Sequence, residues 1–204
     1  MPPLVVIGAG GHAKVVIATA RDAGHRDLRV VDDDPSRWGQ SILGVPIAGP
    51  SAPVLRDPDA VAVLAIGSNP TRKALADAAR CAFAVVVHPS AVIHPSVILG
   101  AGTVVFAGTV IQPDTRIGGH GIVNTGASID HDCAIGDCVH VAPGVRLAGG
   151  VTLGDGVLVG IGSAIIPGIA VGAWATIGAG AAVVRDVAAR TTVVGVPAAP
   201  IPRR

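Results

Sequence analysis

The strongest constraint on this chain is a six-residue phrase that recurs without interruption from Val87 to Ala188. Stepping by six from Val87 meets Ile93, Leu99, Val105, Ile111, Ile117, Val123, Ile129, Ile135, Val141, Leu147, Leu153, Val159, Ile165, Val171, Ile177 and Val183, an aliphatic residue at all 17 positions. Four residues after each aliphatic the side chain is small or β-branched almost throughout, as at Ala91, Thr103, Thr109, Cys133, Ser163 and Ala181. Six-residue periods of this kind belong to parallel β-helices. Three short strands and three turns make one triangular coil of 18 residues, with the large aliphatic inward and the small residue expected to let the chain bend at each corner. Burying one Val, Leu or Ile contributes roughly 1.5–3 kcal/mol, against an ordering cost of about 1–2 kcal/mol per residue. A single coil is therefore unstable, and coils must stack as in any solenoid. The repeat predicts about 5.7 coils and, at about 4.8 Å per strand spacing, a prism about 27 Å tall.

Composition excludes several function classes. Half of the 204 residues are hydrophobic, yet no apolar run approaches the 18 or so that a spanning helix needs. The Val, Ala and Ile content is what a β-helix core demands. Met1–Val6 lacks the charged-then-apolar pattern of a signal peptide, so a cytoplasmic protein is expected. A formal charge of +1 argues against a nucleic-acid surface. Three cysteines, Cys81, Cys133 and Cys138, fit a reducing compartment without a disulfide framework.

Ahead of the repeat, residues 1–84 read as a reduced Rossmann-like α/β unit. Leu4–Ile7 is a short buried strand that enters Gly8-Ala9-Gly10-Gly11-His12-Ala13, and Lys14–Ala23 follows as a helix. A Gly-rich turn from strand into helix presents bare amides and a partial positive charge to an anion, a phosphate-binding shape. A second strand, Leu28–Val31, ends in Asp32-Asp33-Asp34, whose carboxylates suit hydrogen bonds from a ribose or a base. Val61–Ile66, the turn Gly67-Ser68-Asn69-Pro70, a helix over Thr71–Cys81 and a strand over Phe83–Val87 complete the unit. Gly8-x-Gly10-x-x-Ala13 with Asp32 fits the dinucleotide fingerprint. The unit lacks the second βαβ half that would carry a nicotinamide, so a nucleotide diphosphate suits it better than NAD, and a turn kept only for tight packing is the alternative. After the repeat, the Pro-rich segment 189–204 breaks the period and is expected to cap the last coil.

Within the repeat, turns are mostly Gly, Ala, Pro or Asp, and the segment Asn124–Cys133 is the exception. His131 falls two residues after Ile129, at a corner that faces solvent or a neighbouring chain. With an ordinary pKa near 6.5 it suits proton transfer, and Asp132 beside it would favour the imidazolium; a surface histidine without a role is the alternative. His131-x-Cys133 and Cys138-x-His140 have the residue types of a metal site, although core packing already accounts for Cys133. A thiol pointing into a dry prism is inert as a nucleophile. His88 and His94 repeat one hexad position and read as turn residues; His120 fits none of these readings.

Together these motifs carry a resemblance. A hexapeptide repeat preceded by a small domain opening Gly8-Ala9-Gly10-Gly11-His12, with Asn-Thr-x-x-x-Ile-x-His-Asp-Cys over Asn124–Cys133 and Gly195-Val196-Pro197-Ala198 near the end, resembles the sialic-acid O-acetyltransferase and bacillosamine-pathway N-acetyltransferase group over essentially the whole chain. The resemblance implies a left-handed parallel β-helix over 85–204 that binds acetyl-CoA, a homotrimer with active sites between protomers, and no metal. It implies that His131 is the general base and that Asp132, where some relatives have Glu, raises its basicity. It places His140, Ile161 and Ala179 along acetyl-CoA. It places Gly10, Gly11, His12, Asp32, Asp33 and Gly67 on the nucleotide-sugar, with Gly10 standing where some relatives have Ser. The implied reaction is N-acetylation of a nucleotide-linked 4-amino-4,6-dideoxy sugar, UDP- or GDP-linked, for surface glycan synthesis. O-acetylation of a sialic acid or related sugar, and a non-catalytic nucleotide-sugar-binding β-helix, are the competing expectations.

Overall fold

A computed structural model describes residues 3–201, so the first two residues of the N-terminal unit and the last three of the expected cap lie outside the described residues. Every aliphatic of the repeat sits in a two-residue parallel strand, from Val86–Val87 through Ala182–Val183, and up to Leu158–Val159 and Ala164–Ile165 each pairs with the strand 18 residues on. The strands form three faces. The first carries Val104–Val105, Ile122–Val123, His140–Val141, Leu158–Val159 and Thr176–Ile177; the second carries Val110–Ile111, Ser128–Ile129, Arg146–Leu147 and Ala164–Ile165; the third carries Arg116–Ile117, Ala134–Ile135 and Thr152–Leu153. The second residue of each strand points inward, and these aliphatics form one continuous core.

The corners depart from expectation. The small residue four after each aliphatic is not the bend; it is a second inward residue, buried like the aliphatic. Where it is polar, its side chain satisfies the interior. The hydroxyls of Thr103, Thr109, Thr115 and Ser163 donate to the carbonyls of Gly118, Asn124, Asp130 and Gly178 at 2.8, 3.2, 2.7 and 2.8 Å, and Cys133 Sγ lies 3.3 Å from the Ala148 carbonyl in the same relation. The bend belongs to the residue before, which has positive φ at every corner from Gly102 to Gly180. Five of those positions are not glycine: Asp114, His120, Asp132, Cys138 and Trp174. An L side chain there costs about 1–2 kcal/mol, which the stacked coils on either side sustain. His120, without a role in the sequence reading, is one of these turn residues.

The N-terminal unit is a parallel sheet in the order Leu28–Val31 (β2), Leu4–Ile7 (β1), Val61–Leu64 and Ala82–Phe83. Helix α1 spans Gly11–Asp22, starting earlier than predicted because the Ala13 amide already closes a turn on the Gly10 carbonyl. Its buried face, Ala13, Val16, Ile17 and Ala20, packs between this sheet and Val86, Val104, Phe106 and Ile122 of the β-helix, so one core spans both parts. The predicted strand Phe83–Val87 is divided: Ala82–Phe83 completes the N-terminal sheet, and Val86–Val87 opens the first face of the prism. On the opposite side of the sheet, Ala52–Arg56 (α2) contributes Leu55, and Asn69–Ala78 (α3) lays Leu75 and Ala76 against Val5, Ile7 and Leu64. Thr192–Val194 continues the first face beyond Thr176–Ile177, and Ala199–Pro200 turns back antiparallel on it, closing that end as expected.

Candidate active site

The residues singled out by sequence fall into two groups on different parts of the molecule. The first group lies where the N-terminal unit meets the first face. There β1 ends at Gly8, whose φ of +108° and contact with Ala65 and Ile66 exclude a side chain. The turn that follows is held by Asp32, which accepts from the Ala9 amide at 2.6 Å and from the Asp34 amide at 2.9 Å. Arg37 Nη1 donates to the Ala9 carbonyl at 2.6 Å. Asp32 thus shapes the Gly10-Gly11 turn. Asp33 is engaged elsewhere, accepting from the Ser51 amide and hydroxyl at 2.7 and 2.9 Å, where it fixes the start of α2. Space above Gly10, Gly11 and Gly67 is open, and the first turn of α1 carries neither an acidic residue nor a side-chain cap. Its amides and dipole therefore favour an anion.

His12, in that first turn, points down onto the prism. Its ring meets Phe106 edge-on at 5.5 Å and lies 6.3 Å from the ring of His140. His12 Nε2 is buried without a hydrogen-bond partner. Burial first, then the neighbouring His140 and Arg72, hold His12 down to about 4. His140 is lowered to about 4 for the same leading reason, with Arg72 next and a hydrogen bond with the Gly67 backbone pulling the other way. Both imidazoles are therefore neutral at pH 7, suited to directional hydrogen bonding and not to carrying charge. His140 Nε2 lies 3.3 Å from Asn124 Nδ2 on the edge between the first and second faces. Ile161 and Ala179 stand exposed on that same edge, one coil apart.

Arg72, on α3, organises this junction although the sequence reading assigned it no role. It is 1% exposed. Its guanidinium donates to the carbonyls of His120 and Cys138 in the prism at 2.8 Å each, to the Ile66 carbonyl at 2.9 Å, and to Asn69 Oδ1 at 2.9 Å. Asn69 in turn donates to the Gly156 and Val157 carbonyls at 3.1 and 3.2 Å. Burial lowers Arg72 only to about 10, so it keeps its charge. A single Arg within a helical stretch gave no signal of this. Asn124 was within the quoted motif, but nothing in its spacing announced a contact with His140.

The second group is His131 and Asp132, on the edge between the second and third faces. His131 Nδ1 is 2.7 Å from Asp132 Oδ2, and the side chains are 59% and 66% exposed. The Asp132 bond first, then the charge of Asp130, raise the His131 pKa above its ordinary value. Asp132 reaches the ring because it occupies the left-handed corner, with φ of 58°. With Nδ1 committed to the carboxylate, Nε2 remains to accept a proton. Neither thiol competes: Cys133, beside this pair in the chain, and Cys138, on another edge, are both buried, and burial pushes both upward. Among the described residues, no cluster of three His, Cys, Asp or Glu side chains could hold a metal ion, and no helix is long and apolar enough to cross a membrane.

In one chain these groups do not meet. The second–third edge lies opposite the first face, and the whole second face separates His131 from the edge that carries Asn124, Ile161 and Ala179.

Comparison with known proteins identifies the family. Residues 3–79 match the PglD N-terminal domain. No curated protein matches the chain. Among solved structures, a mutant of perosamine N-acetyltransferase from Caulobacter crescentus in complex with CoA and GDP-perosamine is 40% identical over 100% of this chain and 98% of its own, with a TM-score of 0.91. The acetyltransferase domain of PglB from Neisseria gonorrhoeae FA1090, in complex with acetyl coenzyme A, is 36% identical over 98% of each chain, also at 0.91. WeeI from Acinetobacter baumannii AYE is 26% identical over 98% of this chain and 99% of its own, at 0.87. The three-sided prism is accordingly a left-handed hexapeptide-repeat β-helix, and the chain belongs to the nucleotide-amino-sugar N-acetyltransferases.

Proposed function

We propose that this protein transfers the acetyl group of acetyl-CoA to the amino group of a nucleotide-linked amino sugar, with His131 as general base and Asp132 as its partner. The observation that carries this reading is the exposed His131 imidazole, oriented by Asp132 with Nε2 left free. Residues 1–84 form the nucleotide-sugar unit: the Gly10-Gly11 turn and the α1 amides receive the diphosphate, Asp32 shapes that turn, and Gly67 and His12, whose Nε2 has no partner within the chain, complete the nucleotide-sugar site. Residues 85–204 bind acetyl-CoA along His140, Ile161 and Ala179. Asp33, committed to Ser51, acts through the loop it holds. The relative that is 40% identical is in complex with GDP-perosamine, which favours a GDP-linked sugar over a UDP-linked one.

Transfer is direct. The neutral sugar amine attacks the thioester carbonyl, and His131 Nε2 takes the proton that the amine loses. The tetrahedral intermediate then collapses, the carbon–sulfur bond breaks, and the CoA thiolate leaves and is protonated. A neutral donor, His140 or a backbone amide, steadies the developing oxyanion. No acyl-enzyme forms. Because the two groups lie on different edges of one prism, a complete cleft requires two protomers, which supports a closed homotrimer with three equivalent sites. The reaction belongs in the cytoplasm, in the synthesis of a surface glycan.

Thiol release from acetyl-CoA, with GDP-perosamine, a UDP-linked amino sugar and a sialic acid as acceptors, tests the proposal. Release with GDP-perosamine and formation of an amide product are expected. Release with the sialic acid alone, or with none of the three, would overturn it.

A further inference from the structure

The His131 imidazole rests against a glycine one coil further on. A Cβ built on Gly149 would lie 2.6 Å from His131 Cε1, 2.7 Å from Nε2 and 3.2 Å from Nδ1, and these ring atoms are its three nearest neighbours. Real Cβ atoms essentially never approach so closely, so any side chain at Gly149 must displace the ring.

Backbone conformation does not explain this glycine. Two other bulky corner side chains also sit over glycines, His120 over Gly102 and Trp174 over Gly156, but those glycines have φ of +73° and +67° and are needed for the turn itself. Gly149 has no left-handed φ, so an L residue could adopt its backbone without strain. Along the same edge the equivalent positions are Pro113, His131, Pro167 and Arg185, all with side chains. What distinguishes Gly149 is the ring that fills its space.

We propose that Gly149 is a positioning residue for the transfer reaction, its missing side chain forming the seat that holds the His131 imidazole against the prism while Asp132 fixes its rotation. Between them the two contacts determine where Nε2 stands. The peptide links agree with a fixed seat: the Gly150 amide donates to the His131 carbonyl at 2.9 Å, and the Gly168 amide donates to the Gly149 carbonyl at 3.0 Å, so the backbone under the ring is tied to the coils on both sides. This inference rests on His131 being the base.

The test is Gly149→Ala, alone and combined with His131→Ala. A ring pushed off its seat loses both its placement and its bond to Asp132. Misplacement by about 1 Å costs roughly a hundredfold in rate, so kcat is expected to fall about 10- to 100-fold with both KM values and the melting temperature nearly unchanged. The acid limb of the kcat/KM profile should move to lower pH, as the bond that raises His131 is lost. In the His131→Ala background the same substitution should cost nothing more, the non-additivity expected of residues acting through one contact. Titration of the His131 Cε1 proton by NMR gives a second reading that does not depend on turnover. Wild-type kcat and an unmoved titration in Gly149→Ala, with His131→Ala inactive, would overturn the seat and leave the base intact. A full further loss in the double variant would also overturn it. An active His131→Ala enzyme would instead overturn the base assignment itself.

Discussion

His131 and the pair His12 and His140 are the same residue type in opposite settings, and the contrast divides their labour. His131 stands in water on an outer edge, where a carboxylate raises its pKa. His12 and His140 are enclosed between two parts of the chain, where burial and a guanidinium hold them down to about 4. Titratable groups whose surroundings drive them apart mark out roles, and the proposed mechanism uses the contrast so: one imidazole to take a proton, two to stay neutral and hold ligands in place. Under the proposed mechanism the difference also accounts for a cleft shared between two protomers. A base must be solvated enough to release its proton, a binding site must be enclosed, and the triangular prism sets those two environments on different edges.

The largest expected effect is on the solvated edge. His131→Ala should lower kcat by about 10²–10⁴, the usual worth of a general base, with a far smaller effect on stability; a steady-state assay with CoA release as readout checks it. At the enclosed junction the main effect should be on stability. Arg72→Met leaves the carbonyls of His120, Cys138 and Ile66 and the side chain of Asn69 without their donor. At about 1–3 kcal/mol for each buried group left unsatisfied, urea denaturation should report a loss of about 3 kcal/mol or more, and an unchanged midpoint would show that the junction does not depend on this residue. Asp132→Asn sharpens the contrast. Removing the bond that contributes most to the raised pKa should move the acid limb of kcat/KM to lower pH and reduce kcat roughly tenfold.

The smallest effect is on pH stability. His12 and His140 bind protons near pH 4 when folded but near 6.5 when unfolded. Between those values the unfolded chain carries more protons, so stability should fall as pH drops from about 6.5 towards 4. His131, raised when folded, has the opposite sign: its contribution is present below 6.5 and is lost as pH rises through its folded value. Melting curves at several pH values, on the wild type and on a His12→Asn variant, separate the two; an acid slope that the variant does not reduce would contradict the buried assignment.

The fold was legible because a solenoid writes its core into the chain at a fixed interval, and each aliphatic from Val87 to Val183 occupies the inward place its spacing implied. The corner geometry was less legible. Glycines mark most bends, but His120, Asp132 and Trp174 take the same left-handed conformation, and only coordinates reveal that. His131 was found because it interrupts a run of small turn residues. Asp32 and Asp33 were expected together on the nucleotide, yet their carboxylates hold two different loops, since adjacent residues at a strand end point opposite ways. Arg72 left no trace in the sequence because, Asn69 apart, its partners are backbone carbonyls, which every residue possesses. The segment 35–56 was likewise silent: its hairpin pairs only Ser41–Ile42 with Val45–Pro46, and α2 has five residues, too short for either periodicity to register.

That the enclosed group of one chain works with the solvated edge of another can be tested by mixing two disabled proteins. His131→Ala keeps an intact junction; a His12→Ala and His140→Ala double variant keeps an intact edge. Each alone should be nearly inactive. Unfolded together in equal amounts and reassembled, they should regain roughly a quarter of wild-type activity, because random mixing in a cyclic oligomer brings an intact junction against an intact edge at one interface in four. Mixtures no more active than either protein alone would contradict the account.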